Sequence, residues 1–181
     1  MSSDPQASAP LILAVDPGNE FSAYVIVEND LSRVVDKGKV ENGVLLRKIE
    51  DEFLSLPIEY AAIEMVACYG MPVGREVFET CVNIGRLMER IEKVLHLKPT
   101  WIYRQDEKIC LCNSMRAKDS NIRQALIDRF GEVGTKKSPG YFYGFKKDIW
   151  AAMAVAVAWH DKQEEEKGRE NEGPRRNHFS Q

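Results

Sequence analysis

The chain of 181 residues has no apolar run near the roughly 18–20 residues that a membrane span requires. That speaks against a transmembrane helix and a membrane partner. Residues 1–10, Met-Ser-Ser-Asp-Pro-Gln-Ala-Ser-Ala-Pro, lack both the basic opening and the hydrophobic stretch of a signal peptide. They read as a disordered leader, and the expected location is cytoplasmic. Cysteine is scarce, with four in the chain. Only Cys110 and Cys112 are close, and no further pair at ligand spacing accompanies them, which speaks against a zinc site. Buried reduced thiols are the plain expectation. An excess of basic charge is missing too: the net charge is −3, unlike a polycationic nucleic-acid binder.

What is present is unevenly placed. The stretch 104–147 carries about twice as many basic as acidic residues, so a local basic face survives the negative total. Hydrophobic patterning predicts strands over Leu11–Asp16, 21–28, 33–40, 60–66 and 100–103, the last continuing toward Ile109. In such a strand Cys110 and Cys112 would share one face. Helices are predicted over 44–54, 74–95, 120–130 and 148–159. The element order is β-β-β-α-β-α-β-α-α. It implies an α/β fold with a five-stranded mixed sheet and helices on both faces. One domain over 11–166 is expected, with a disordered polar tail over 167–181.

Three carboxylates stand on or beside apolar elements. Asp16 ends Leu-Ile-Leu-Ala-Val-Asp-Pro-Gly, Glu64 lies in Tyr-Ala-Ala-Ile-Glu-Met-Val, and Asp148 opens Asp-Ile-Trp-Ala-Ala-Met-Ala-Val-Ala. Singly, each has an ordinary explanation: a turn, a strand-end ion pair, a helix start favoured by the macrodipole. Jointly they have a common geometry. Alternation puts Ile12, Ala14 and Asp16 on one face, and Tyr60, Ala62 and Glu64 on another. A crossover can set these strands side by side and parallel. The small alanines would then admit the alanine-rich last helix, bringing Asp148 toward the other two. Carboxylates so crowded need cations between them. Oxygen ligands of this kind suit Mg²⁺, with Mn²⁺ able to substitute. Two such ions about 4 Å apart can activate water and stabilise the leaving oxygen of a phosphodiester.

On these residues the chain resembles the RuvC-type Holliday junction resolvases of the ribonuclease H-like superfamily. The matching pieces are Leu-Ala-Val-Asp16-Pro-Gly with Ser-Ala-Tyr on the next strand, Ala-Ile-Glu64, Asp148-Ile-Trp-Ala-Ala-Met-Ala-Val-Ala, and Arg116-Ala-Lys118-Asp-Ser-Asn-Ile-Arg123. Their character is closer to divergent phage-encoded members, for which the host cytoplasm would be the location. The resemblance implies a ribonuclease H-like fold and a homodimer with the long helix over 74–95 near its interface. It also implies cleavage of four-way DNA junctions with two Mg²⁺ ions held by Asp16, Glu64 and Asp148. One position departs from the pattern: the family commonly has a further acid three residues after the one matched to Asp148, and here that residue is Ala151. Asp161 lies about 20 Å further along the helix and cannot replace it. Asp119 can do so only if its loop folds back.

The resemblance also implies that Tyr69, on the loop after Glu64, stacks on bases at the junction centre, where an aromatic face offsets unstacking. Met71 is a second, weaker wedge. Lys118, Arg123, Lys136, Lys137, Lys146 and Lys147 are candidate phosphate contacts. The loop from Lys136 to Lys147 mixes cations, glycines and aromatics and reads as a mobile DNA-contacting loop. The basic residues near Pro174 would add nonspecific affinity. Two neighbouring readings remain: a ribonuclease H or flap-type nuclease of the same fold, and a non-catalytic junction-binding relative. Sugar kinases and actin-like ATPases share an Asp-Gly strand turn but need a duplicated domain and a second phosphate motif. This chain has neither, so no nucleotide cofactor is expected.

Overall fold

The computed structural model describes residues 9–68, 70 and 72–172. Its five strands are β1 (Leu11–Asp16), β2 (Phe21–Glu28), β3 (Val34–Glu41), β4 (Ile58–Met65) and β5 (Thr100–Tyr103), in the sheet order β3-β2-β1-β4-β5. Neighbours β1, β2 and β3 pair antiparallel, whereas β1–β4 and β4–β5 pair parallel. The mixed α/β sheet anticipated from the patterning is therefore the observed one. Parallel neighbours need a long crossover: α1 (Asn42–Asp51) with a following 3₁₀ turn carries the chain from the edge strand β3 across to β4, beside β1.

Central β1 is buried from Leu11 to Val15 because both of its faces are covered. Leu13, Val15 and Ile63 meet α1 and α2 (Arg75–Leu95). Ile12, Ala14 and Ala62 meet α5 (Ile149–Glu172). In the β1–β4 register Ala14 lies against Ala62, and α5 buries Ala152, Ala154, Ala156 and Ala158 over this alanine floor. A fully buried helix stretch must be apolar all round, and residues 152–158 are. Two further helices, α3 (Arg104–Cys112) and α4 (Asp119–Phe130), cover the outer side of α5.

Several expectations are corrected. Beyond Tyr103 the chain turns into α3 instead of prolonging β5, so Cys110 and Cys112 are helical. Cys68 and Cys81 are exposed and the other two cysteines half-buried; all four are free thiols. The last helix runs to Glu172, so residues 167–172, expected in a disordered tail, are helical. Three of the four aromatics of the 136–147 loop are anchors: Phe142 and Phe145 are buried against Trp150, and the Tyr141 hydroxyl donates to the Leu31 carbonyl at 2.7 Å, while Tyr143 is exposed. Among the described residues, no helix is long and apolar enough to cross a membrane.

Candidate active site

Four polar or charged residues are buried among those described: Ser22, Asn42, Asn83 and Glu107. All four belong to the surroundings of Asp16, because burying a polar group is costly unless something holds it.

Three of them lock the turn after Asp16. Ser22 Oγ donates to Asn42 Oδ1 at 2.7 Å. The Asn42 amide donates to the carbonyls of Gly18 and Asn19, at 3.1 and 2.9 Å. The Asn83 amide, reaching in from α2, donates to the Gly18 carbonyl and to Ser22 Oγ, both at 3.1 Å. Gly18 itself admits no side chain, since a β-carbon there would stand 2.4 Å from the Phe21 carbonyl oxygen. The end of β1 is thus clamped from β2, α1 and α2.

The β1–β4 register, continued two residues past Ala14 and Ala62, sets Asp16 beside Glu64. Their carboxyls are close enough to act on each other. Burial, then the adjacent Glu64 charge, pushes the Asp16 carboxyl up to about 8. Burial likewise raises Glu64, with the Arg104 guanidinium opposing. Asp148 precedes the first turn of α5, where its carbonyl accepts from the Ala152 N–H at 3.0 Å. Its charge reaches Asp16, but its carboxylate is paired with Lys39 of β3.

The sequence reading missed Glu107, Arg104 and Lys39. Glu107, on α3, has no exposed surface. Burial, then the Glu64 charge, pushes its carboxyl up to about 9 against the pull of Arg104. Arg104 donates to Glu107 Oε2 at 2.5 Å and to Asp119 Oδ1 at 2.6 Å. Burial works against the Arg104 charge, yet Glu107, Asp119 and Glu64 outweigh it and hold the guanidinium charged more firmly than usual. Asp119 does come near the site, but its side chain is 85% exposed and it faces the cluster through Arg104. Asp161 is engaged elsewhere, by Arg129. A charged run after a strand hid Arg104 and Glu107. Only a helical phase for residues 104–112 places Arg104 and Glu107 on one face.

Beside the acids lies a cleft of 280 Å³ whose lining includes Arg104, Asp119, Arg123, Lys147, Asp148 and Ala151. It adjoins a second cleft that shares Asp119, Arg123, Lys147 and Trp150. Arg123 stacks over the Trp150 ring at 4.7 Å. Lys147, in the left-handed region with φ of 42°, turns the chain into Asp148. Of the candidate phosphate contacts, Arg123 and Lys147 therefore stand at the acids. Lys118 is exposed at the start of α4, and Lys146 is exposed beside Lys147. Lys136 and Lys137 occupy a separate turn closed by a Gly134–Pro139 bridge and line neither cleft. Tyr69, Met71 and the basic residues near Pro174 lie outside the described residues.

Among the described residues, no three His, Cys, Asp or Glu side chains are grouped to hold a metal ion as they stand. Lys39 and Arg104 occupy the acids instead. The donor set nevertheless fits a hard divalent cation. It consists of carboxylate oxygens alone, and one of them, Glu107 Oε1, is buried with no hydrogen-bond partner.

No family model and no curated protein sequence matches the chain. Solved structures do. Thermus thermophilus RuvC superposes with a TM-score of 0.66 at 12% identity, covering 86% of this chain and 96% of that one. The same bacterium's RuvC in complex with a Holliday junction substrate gives 0.63 at 12%, with coverages of 82% and 91%. The yeast mitochondrial Holliday junction resolvase Ydc2 gives 0.58 at 10%, with 88% and 83%. The chain has the ribonuclease H-like fold of the RuvC-type Holliday junction resolvases.

Proposed function

We propose that this protein is a metal-dependent DNA endonuclease that resolves four-way or related branched junctions. The observation that carries the reading is the gathering of Asp16, Glu64 and Asp148 from β1, β4 and the start of α5 at the edge of a cleft lined by Arg123 and Lys147. The fold supports it, since one of the superposing structures holds a Holliday junction substrate.

Asp16, Glu64 and Asp148 would hold the divalent metal, Mg²⁺ or Mn²⁺. When bound, a pair of such ions supplies an activated water and a charge partner for the leaving oxygen. The protein's own contribution is positional. The Ser22–Asn42–Asn83 clamp fixes the turn after Asp16, and parallel pairing of β1 with β4 fixes Asp16 relative to Glu64. Arg123 and Lys147 offer cationic contacts for the phosphates flanking the reactive one, the part of recognition that positions a backbone without reading its sequence. Lys118 and Lys146 extend that surface. Lys136 and Lys137 would contact a more distant arm.

A symmetric substrate suits a homodimer. Phe78 and Val82, one turn apart on α2, are 61% and 66% exposed, an apolar stripe a second copy would cover. The phage origin and Tyr69 as a junction wedge belong to the same proposal and rest on the resemblance in sequence.

A cleavage panel tests the reading. Four-way, three-way, flap and RNA–DNA hybrid substrates are incubated with the purified protein in Mg²⁺ and in Mn²⁺. Paired symmetric nicks in the four-way junction are expected. Preference for the hybrid would move the assignment to a ribonuclease H. Junction binding without cleavage in either metal would make it a non-catalytic binder.

A further inference from the structure

Glu107 is the one charged side chain that is fully buried among the described residues. A buried carboxylate is tolerated when both its oxygens are satisfied. Here Oε2 accepts from Arg104, but Oε1 has no partner. Leaving a buried acceptor bare is costly. Arg104 does not close the gap, because its other terminal nitrogen is committed to Asp119. The remaining charged neighbours make matters worse, since Glu64 and Asp16 act on Glu107 with the same sign. A residue placed only to anchor α3 would not leave a bare oxygen among like charges. Nor does α5 offer a carboxylate of its own in its first turn, where Ala151 lines the cleft beside Arg104 and Asp119. What is missing around Glu107 is a second positive centre that accepts oxygen ligands.

We propose that Glu107 is a further metal-ligating residue of this site, delivered from α3, and that Arg104 is the counter-ion it exchanges for the metal. The inference rests on the metal-dependent reading above. While the ion is absent, Arg104 is the hydrogen-bond partner of Glu107. On binding, the ion takes up the Glu107 oxygens, and Arg104 stays paired with Asp119, whose exposed side chain can follow it outward. The class of ligand is a hard divalent cation, Mg²⁺ or Mn²⁺, because every donor is a carboxylate oxygen.

The test reads metal binding, not cleavage. Mn²⁺ affinity is measured by calorimetry on the wild type, Asp16→Asn and Glu107→Gln, with the melting temperature of each metal-free protein recorded alongside. Glu107→Gln is expected to weaken Mn²⁺ binding about tenfold or more while the metal-free protein stays folded. Equal affinity in the wild type and Glu107→Gln, with Asp16→Asn impaired, overturns this proposal and leaves the nuclease reading standing. No Mn²⁺ binding by the wild type overturns both. A measurement on the wild type keeps the result independent of how the variant folds: the Glu107 side-chain carboxyl carbon-13 resonance is followed during Mg²⁺ titration. It should shift together with that of Asp16, and a resonance that does not move refutes the assignment.

Discussion

Asp16 and Glu64 on one side, and Asp148 on the other, are the same functional group in opposite settings. The strand-borne pair is half-buried, its carboxyls raised first by desolvation, and it is carried on the paired strands β1 and β4. Asp148 stands on a turn, its side chain 45% exposed, and is held by Lys39 from the far edge of the sheet. One half of the site is desolvated and crowds two carboxyls together. The other half is solvated and paired with a cation. The difference teaches a division of labour under the proposed metal-dependent reading: the desolvated pair would supply the electrostatic demand for a cation, and the exposed Asp148 would complete its ligands.

The comparison can be broken or sharpened by measurement. The largest effect is expected from Asp16→Asn or Glu64→Gln, each lowering junction cleavage by roughly 10²–10³-fold or more, the scale for removing a preorganised charge partner. Asp148→Asn should cost a similar factor, and cleavage left intact in that variant would remove Asp148 from the ligand set. Next comes the floor beneath the pair. Ala154→Leu would overpack α5, whose residue 154 has no exposed surface, and should destabilise the protein by about 1–3 kcal/mol in chemical denaturation.

Third, Asp16 and Glu107 should imprint their pH dependence on stability. The carboxyls of Asp16 and Glu107 are pushed from ordinary values of 3.8 and 4.5 up to about 8 and about 9. Between those limits the folded protein binds more protons than the unfolded chain. Metal-free stability is therefore greatest below about pH 4 for these groups and falls as pH rises toward 9. The melting temperature without metal should drop by several degrees from pH 5 to pH 9, and Mg²⁺ should restore it at the alkaline end. A flat profile would mean that Asp16 and Glu107 are not desolvated as described. The smallest effect belongs to Lys39→Met. Its exposed ion pair with Asp148 contributes about 0–1 kcal/mol, so stability should hardly change while Asp148 becomes freer to meet the ion. Tighter Mn²⁺ binding in that variant would confirm Lys39 as a competitor, and weaker binding would make it a support.

The strand-borne half was legible in the residues because its rules are local. Alternation over Ile12, Ala14 and Asp16, and over Tyr60, Ala62 and Glu64, depends on nothing beyond the pleat. The α3 half was hidden. Residues 104–112 are a short run with apolar side chains only at its end, and such a run has no decisive period. Its helical state comes from packing against α5 and α4, which a linear reading does not contain. The aromatic loop failed for a related reason: Tyr, Phe and Lys in alternation look like a nucleic-acid contact until Trp150 and Phe130 are seen to bury Phe142.

The sequence by itself determined which strands would carry Asp16 and Glu64, which faces those acids would share, and that alanines would let the last helix descend on them. These follow from side-chain period and size. Tertiary structure alone decided which charges answer the acids. Glu107, Arg104 and Lys39 lie far from Asp16 along the chain and meet the acids only because α3 and β3 fold against the same end of the sheet. Once they meet there, the low local dielectric makes each of those charges count.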